Sequence, residues 1–313
     1  MSGILAFSPN ALCFLACLVM EPATGYKRCM ISKELAEKLV RTSRPLRGLH
    51  GSRMVLLGIG LLLGAALARP EYLTQSGIPL WVWPHVVLLF IVAVVLLKLV
   101  RRQRQATLTL AAFESLQLQE WEQARRHLVK LLARPVNHAP ARTEALLGLG
   151  NLAEIGHDYD AAQEVYEAIL NEAVANPVQL LMTRMALAAT LLRTGQTADA
   201  VEMVDRLDRT SLPDSLKAHV ELVSLFREVV MGQAADGLVK ADYRRALFRE
   251  HLGTRAGYGY GLLAAAYDQA NLPSPAQKCW ADATLLVRAD ALVDRFGELA
   301  PVAARYAAVE HVL

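Results

Sequence analysis

Residues 146–166 have the sequence LLGLGNLAEIGHDYDAAQEVY, in which two apolar segments flank a polar turn at residues 156–158. A turn of this kind between two apolar runs with helical spacing is typical of an α-helical hairpin. Gly150 and Ala162 stand on the two predicted helices, and side chains this small let antiparallel helices approach closely. The stretch therefore predicts one helix–turn–helix unit.

The same pattern recurs along the chain on a lattice of 38 residues. The alanines that share the position of Ala162 are Ala124, Ala162, Ala200 and Ala276, at spacings of 38, 38 and 76 residues. The small residues twelve positions before them are Ala112, Gly150, Ala188 and Ala264. The position expected near Leu238 has no alanine, so this unit is predicted to be degenerate. A period between 20 and 50 residues indicates stacked supersecondary units, here over residues 106–286.

These residues resemble the tetratricopeptide repeat, a helix–turn–helix of 34 residues with a small residue at position 8 and alanine at position 20. The matches are Leu146-x-x-Leu149-Gly150 with Tyr159-x-x-Ala162-x-x-x-Tyr166, and Tyr260-x-x-Leu263-Ala264-x-x-Tyr267 with Ala276-x-x-x-Trp280-x-x-Ala283. The longer period of 38 predicts longer helices or longer connections. The resemblance implies an α-solenoid with a concave groove, a scaffold that serves many different activities.

Two apolar runs precede the repeats, at residues 54–68 and 78–97. A helix that crosses the hydrocarbon core of a bilayer needs about 20 residues. The second run has this length, and the first reaches it if its flanking residues contribute. Gly60 and Gly64 in the first run form a GxxxG motif, which would allow close approach of the second helix or of another copy of the chain. The two runs predict a transmembrane helical hairpin within residues 54–100.

The distribution of charge gives this hairpin an orientation. Residues 1–104 carry 13 Lys and Arg against 4 Asp and Glu, whereas residues 105–313 carry 20 against 26. The basic residues lie mostly outside the hairpin, which by the positive-inside rule places both termini in the cytoplasm. The prediction is a multi-pass protein of the inner (plasma) membrane. The opposite orientation, with the repeats outside the cell, is the alternative.

The two ends of the chain have weaker patterns. Residues 1–53 form a basic segment that is either disordered, interfacial or an extension without a folded role, and residues 33–40 could form an amphipathic helix on the membrane surface. Residues 287–313 are predicted to form helices that cap the last repeat. The alternative is that this tail folds back into the groove and occludes it.

The sequence contains no catalytic motif. Gly148-x-Gly150 and Gly257-x-Gly259-x-Gly261 lack the preceding strand that a phosphate-binding loop requires. The four cysteines show no metal-site spacing, and the mildly acidic repeat region argues against nucleic-acid binding. We therefore expect no enzymatic activity, no cofactor and no metal.

The groove is the expected binding site for a protein or peptide partner. Under the resemblance, its residues are Leu147, Asn151, Glu154, Met182, Met185, Arg193 and Arg227. Adaptable methionines favour an amphipathic helix or an apolar peptide. The alternative is that these methionines and leucines only fill the space between repeats. A carboxylate clamp like that of chaperone-binding relatives is rejected, because only Asn151 matches it.

The function predicted from these features is a membrane-anchored interaction scaffold or adaptor that holds a partner at the cytoplasmic face. The bilayer itself is then a second binding partner. The alternative is an accessory subunit of a membrane-associated enzyme or of an envelope-assembly complex.

Overall fold

A computed structural model describes residues 31–45, 82–136, 138–172, 176–207 and 212–306. Over these ranges the secondary structure is helical and contains no strand, which confirms the predicted all-α class. The first predicted membrane run, residues 54–68 with Gly60 and Gly64, lies outside the described residues.

The described α-helices are numbered in chain order. They are α1 (Lys33–Thr42), α2 (Val82–Gln117), α3 (Trp121–Leu132), α4 (Ala139–Ile155), α5 (Tyr159–Leu170), α6 (Pro177–Arg193), α7 (Thr197–Asp205), α8 (Asp214–Val230), α9 (Ala234–Val239), α10 (Ala241–His251), α11 (Ala256–Gln269), α12 (Pro273–Thr284), α13 (Ala289–Arg295) and α14 (Ala300–Tyr306). Two 3₁₀ turns, Gly253–Arg255 and Gly297–Leu299, precede α11 and α14.

Consecutive helices pair as hairpins: α2 with α3, α4 with α5, α6 with α7, α8 with α9, and α11 with α12. Neighbouring hairpins also contact each other, through α3 and α4, α5 and α6, and α7 and α8. The extra helix α10 packs between α8 and α11. The first helices of the three middle hairpins, α4, α6 and α8, each have 17 residues, and this length accounts for a period above 34.

One turn geometry joins the two helices of every hairpin. A residue with positive φ ends each first helix, namely Gln119 (59°), His157 (57°), Gly195 (77°), Gly232 (68°) and Asn271 (59°). The next N–H then donates to a carbonyl five residues back, as from Asp158 to Ala153 at 2.9 Å. This is the Schellman motif, which satisfies carbonyls left free at a helix end. Its recurrence every 37 to 39 residues shows the repeat in the backbone itself.

The small residues of the repeat pattern lie five positions after each turn residue. Ala124, Ala162, Ala200 and Ala276 are each 0% exposed. In the fourth hairpin this position is Gly237, where a Cβ would lie 3.0 Å from Oε2 of Glu228. The unit is therefore not degenerate. Its turn comes one residue early, and a glycine replaces the alanine that the pattern requires near Leu238.

Helix α1 is amphipathic, as predicted for residues 33–40, but its apolar face packs on protein. Ala36 and Leu39 are buried against α3 and α5. The guanidinium of Arg142, on α4, donates to the Val40 carbonyl and to Oγ of Ser43, both at 3.0 Å. In the structure this face therefore contacts the hairpins instead of a lipid surface. Residues 1–30 and 46–53 lie outside the described part of the chain.

The predicted multi-pass membrane location is contradicted. Among the described residues, no helix combines the length and the apolar character that a membrane crossing requires. Helix α2 contains most of the second predicted run, but only twelve residues separate His85 from Lys98 in it. At a rise of 1.5 Å per residue they extend about 18 Å, short of the ~30 Å hydrocarbon core. The large apolar side chains of α2 between Leu88 and Val100 are exposed.

Candidate functional site

A buried carboxylate lies where the second and third hairpins meet the C-terminal helices. Oε1 of Glu154, at the end of α4, accepts hydrogen bonds from the Tyr166 hydroxyl at 2.8 Å and the Thr190 hydroxyl at 3.3 Å. Oε2 accepts from Nη1 of Arg193 and from Nη2 of Arg295, both at 2.9 Å. The side chain of Glu154 is 0% exposed. Four donors from α5, α6 and α13 thus compensate for the removal of this charge from water.

The Arg193 guanidinium is also surrounded by aromatic rings. Its central carbon lies 5.8 Å from the centroid of Tyr159 and 5.6 Å from those of Phe226 and Phe296. These distances are within the range of cation–π attraction. Burial, together with the neighbouring charge of Arg295, lowers the pKa of Arg193 from its usual value. The rings and the Glu154 carboxylate stabilise the cation against these effects.

Three consecutive residues of the C-terminal region contact this cluster. Arg295 binds Glu154, as described above. The ring of Phe296 lies edge-on to Phe226, with centroids 4.8 Å apart. Oδ1 of Asp294 lies 3.3 Å from Nε2 of His157, at the turn between α4 and α5. The chain after α13 therefore reaches back to the second and fourth hairpins.

A cavity of about 40 Å³ adjoins the cluster. Its walls come from α6, from α8 and from the end of α13. The lining residues are Met185, Ala189, Arg193, His219, Leu222, Val223, Phe226, Arg295 and Phe296. Most of this wall is apolar, with two guanidinium groups and one imidazole in it.

The imidazole of His219 is neutral in this environment. Nδ1 lies 2.8 Å from the Ser215 carbonyl oxygen, which accepts only, so Nδ1 carries the proton. Burial lowers the pKa of His219 to about 4, and the nearby charge of Arg255 lowers it further, against the opposing effect of the Ser215 hydrogen bond. The imidazole therefore adds an uncharged wall to the cavity near neutral pH.

Burial also keeps the hydroxyl of Tyr166 in its donating form. Its pKa is well above the usual value, because desolvation and the adjacent Glu154 carboxylate both disfavour the phenolate. Tyr166 is the aromatic residue that follows Ala162 in the repeat pattern. Gly150 provides the space for its ring, since a Cβ there would lie 2.7 Å from Cζ of Tyr166.

The structure brings three of the seven predicted groove residues together at this site. Glu154 and Arg193 form the ion pair, and Met185 lines the cavity. Their assignment to partner binding stays a prediction.

The other four predicted residues lie elsewhere. Leu147, Asn151 and Met182 are at most 1% exposed among the helices. Arg227 pairs with Asp205, its Nη1 lying 3.0 Å from Oδ1. Burial of Met182 is what the space-filling alternative expects, and Met185 is equally buried at 1% exposure.

Sequence reasoning missed half of the site. The missed residues are Tyr166, Thr190, His219, Phe226, Arg295 and Phe296. The only available signal for Arg295 and Phe296 was the alternative in which the tail folds back onto the groove. The structure shows such a contact for these two residues, made by the end of α13.

The described part of the chain contains no group of three His, Cys, Asp or Glu side chains arranged to hold a metal ion. Comparisons with protein-family models, with curated proteins and with solved structures found no match. The resemblance to tetratricopeptide repeats therefore rests on the residues and turns of this chain alone.

Proposed function

We propose that this chain is a helical-repeat scaffold, an α-solenoid in overall form, that binds a peptide segment of a partner protein. The proposed binding surface is the Glu154 site, defined as Glu154, Arg193 and the residues that line the adjoining cavity. The observation that supports it most directly is the cavity itself, an apolar pocket bordered by oriented charged groups. Pockets with mostly apolar walls and a few fixed polar groups are typical of ligand sites.

The chemistry of the wall defines the kind of segment it suits. Met185, Leu222 and Phe226 offer apolar contacts, and methionine adapts its shape to different side chains. Arg193 and Glu154 are held in place by several contacts each, so they present fixed charges at the edge of the apolar surface. An amphipathic segment fits, with an apolar side chain toward the cavity and charged groups at its rim.

The same geometry favours binding over proton-transfer chemistry. A catalytic base must reach a proton on its substrate. The carboxylate of Glu154 instead accepts four hydrogen bonds from side chains of its own chain. A carboxylate so stabilised in its charged form has little tendency to take up a further proton.

A display experiment tests the proposed binding surface. A random library of 12-residue peptides is selected against the full chain, and the affinities of enriched peptides are measured by fluorescence polarisation. The variant Val223→Glu places a charge in the cavity wall at a half-buried position. The matched variant Val239→Glu makes the same change at a valine that is 81% exposed and remote from the cavity lining.

We expect Val223→Glu to weaken binding at least tenfold and Val239→Glu to leave it unchanged. Circular dichroism and thermal unfolding of both variants establish that they are folded. Enriched peptides that bind Val223→Glu as tightly as the wild type would place the binding surface elsewhere. A selection that enriches no peptide would contradict the proposal altogether.

A further inference from the structure

The Glu154 site already has an occupant, which is part of the same chain. Residues 289–299, here called the C-terminal latch, comprise α13 and the following 3₁₀ turn. The latch contributes Arg295 and Phe296 to the wall of the cavity. Leu292 and Leu299 attach it to α11, where Gly261 leaves room for both side chains. The latch therefore covers the surface to which a partner is proposed to bind.

Each polar group that the latch contacts has another partner within the hairpins. Without Arg295, the Glu154 carboxylate keeps the hydrogen bonds from Arg193, Tyr166 and Thr190. Without Asp294, the His157 ring keeps the Tyr159 hydroxyl, 3.0 Å from its Nδ1.

The cation at the centre of the site is similarly provided for. Without Phe296, Arg193 keeps the rings of Tyr159 and Phe226, as well as Glu154. Departure of the latch thus leaves no buried charge without a counter-charge, which is the usual large cost of breaking a buried ion pair. What its departure exposes is apolar surface around Phe226 and the cavity. Such a surface favours a replacement.

A tether holds the chain on the far side of the latch. The Tyr306 hydroxyl, on α14, lies 3.1 Å from Oδ1 of Asp268 on α11, and Arg305 pairs with the same carboxylate. On the near side, Leu285 is 83% exposed at the end of α12. The latch can therefore leave its site while α14 stays attached to α11.

We propose that the C-terminal latch is an exchangeable internal ligand of the Glu154 site, and that the partner segment which displaces it carries a basic residue followed directly by an aromatic residue. This inference rests on the proposed function. The basic residue takes the place of Arg295 at Oε2 of Glu154, and the aromatic residue takes the place of Phe296 against Phe226. An acidic residue before them, in the position of Asp294, adds the contact with His157.

A peptide-binding experiment on the full chain tests the exchange. The probe is a fluorescent peptide with the sequence of residues 289–300, ADALVDRFGELA. In the variant Arg295→Ala/Phe296→Ala the latch loses its two main contacts with the site. We expect this variant to bind the probe at least tenfold more tightly than the wild type. A probe with both positions changed to alanine should not bind.

The matched control is Arg305→Ala, which removes a charged contact of the same C-terminal region at Asp268 and leaves the site intact. It should bind the probe as weakly as the wild type. A folded double variant that binds the probe no better than the wild type would overturn the exchange.

Hydrogen exchange of the wild-type chain keeps the proposal testable if the double variant does not fold. The amides of Phe296 and Leu299 are hydrogen-bonded within the latch. We expect their protection factors to be at least tenfold lower than those in α8, because the latch opens without global unfolding. Equal protection in the two segments would mean that the latch is a permanent part of the fold, and would overturn the inference.

The outcomes for the two proposals differ. Library peptides that lose affinity in Val223→Glu but lack a basic–aromatic pair would keep the proposed function and overturn the exchangeable latch. A latch that opens in a chain for which no library peptide is enriched would instead contradict the proposed function.

Discussion

Nη2 of Arg295 lies 2.9 Å from Oε2 of Glu154, although 141 residues separate the two in the chain. This ion pair connects the end of α13 to the end of α4. It lies beside a second pair, between the same carboxylate oxygen and Arg193, and both are almost completely buried. One glutamate thus serves two arginines from different parts of the fold.

Substitution Glu154→Gln should destabilise the fold by about 3–5 kcal/mol, because it leaves two guanidinium groups buried without a counter-charge. Arg295→Ala should cost less, since Glu154 keeps Arg193. Chemical denaturation gives both values. The control Glu250→Gln, at an exposed position of α10, should stay within about 0.5 kcal/mol of the wild type. A loss for Glu154→Gln no larger than that control would contradict the role of this carboxylate.

Substitution Gly150→Ala should destabilise the chain by about 1–3 kcal/mol despite the better helix propensity of alanine. The added Cβ would lie 2.7 Å from Cζ of the buried Tyr166 ring. The control on the same helix is Gly148→Ala, where the nearest atoms are flexible leucine methyl groups at 3.3 and 3.4 Å. Thermal unfolding should show a lower midpoint for the first variant only. Equal midpoints would mean that Tyr166 can move aside freely.

Substitution Ala200→Leu tests the repeat pattern in the third hairpin. Ala200 is 0% exposed, so the larger side chain should overpack the crossing of α6 and α7 and cost about 1–3 kcal/mol. Ala198→Leu makes the same change two residues earlier, at an exposed position of α7. Denaturant unfolding should distinguish the two variants. A tolerated leucine at residue 200 would contradict the close helix contact.

The buried imidazole of His219 predicts a dependence of stability on pH. Its pKa is about 4 in the folded chain and about 6.5 in a model peptide, so the unfolded chain binds more protons between these values. Stability from this group is therefore complete above pH 6.5 and decreases as the pH falls toward 4. Between pH 7 and pH 5 the expected loss is about 2 kcal/mol.

The variant His219→Leu isolates this effect, because it removes the titrating group. The free energy of unfolding is measured at pH 7 and pH 5 for both proteins. The wild type should lose about 2 kcal/mol more than the variant over this interval. An equal loss in both would show that His219 is protonated in the folded chain near pH 6.

The helical hairpins could be predicted from the sequence because their signals are local. The positions of Ala124, Ala162, Ala200 and Ala276 follow from close contacts between adjacent helices, and they recur at nearly constant spacing. Gly237 escaped this pattern because its turn, at Gly232, comes 37 residues after the preceding one instead of 38. A fixed lattice tolerates no such shift.

The site could be predicted only in part, since it depends on contacts that are distant in sequence. Glu154, Met185 and Arg193 were found by their position on the first helices of the repeats. Arg295 and Phe296 belong to no repeat, so no spacing connects them with the groove. The membrane prediction was wrong because it rested on the composition of the runs, whereas the helix that contains most of the second run has a histidine and a lysine close together.

Hydrogen exchange of the full chain with and without a library-selected peptide tests the central claim most directly, namely that a partner segment and the C-terminal latch compete for the Glu154 site. When the peptide binds, deuterium uptake should rise in residues 289–299 and stay unchanged or fall in α6 and α8. A peptide that binds through Val223 while uptake in residues 289–299 stays the same or falls would contradict the account.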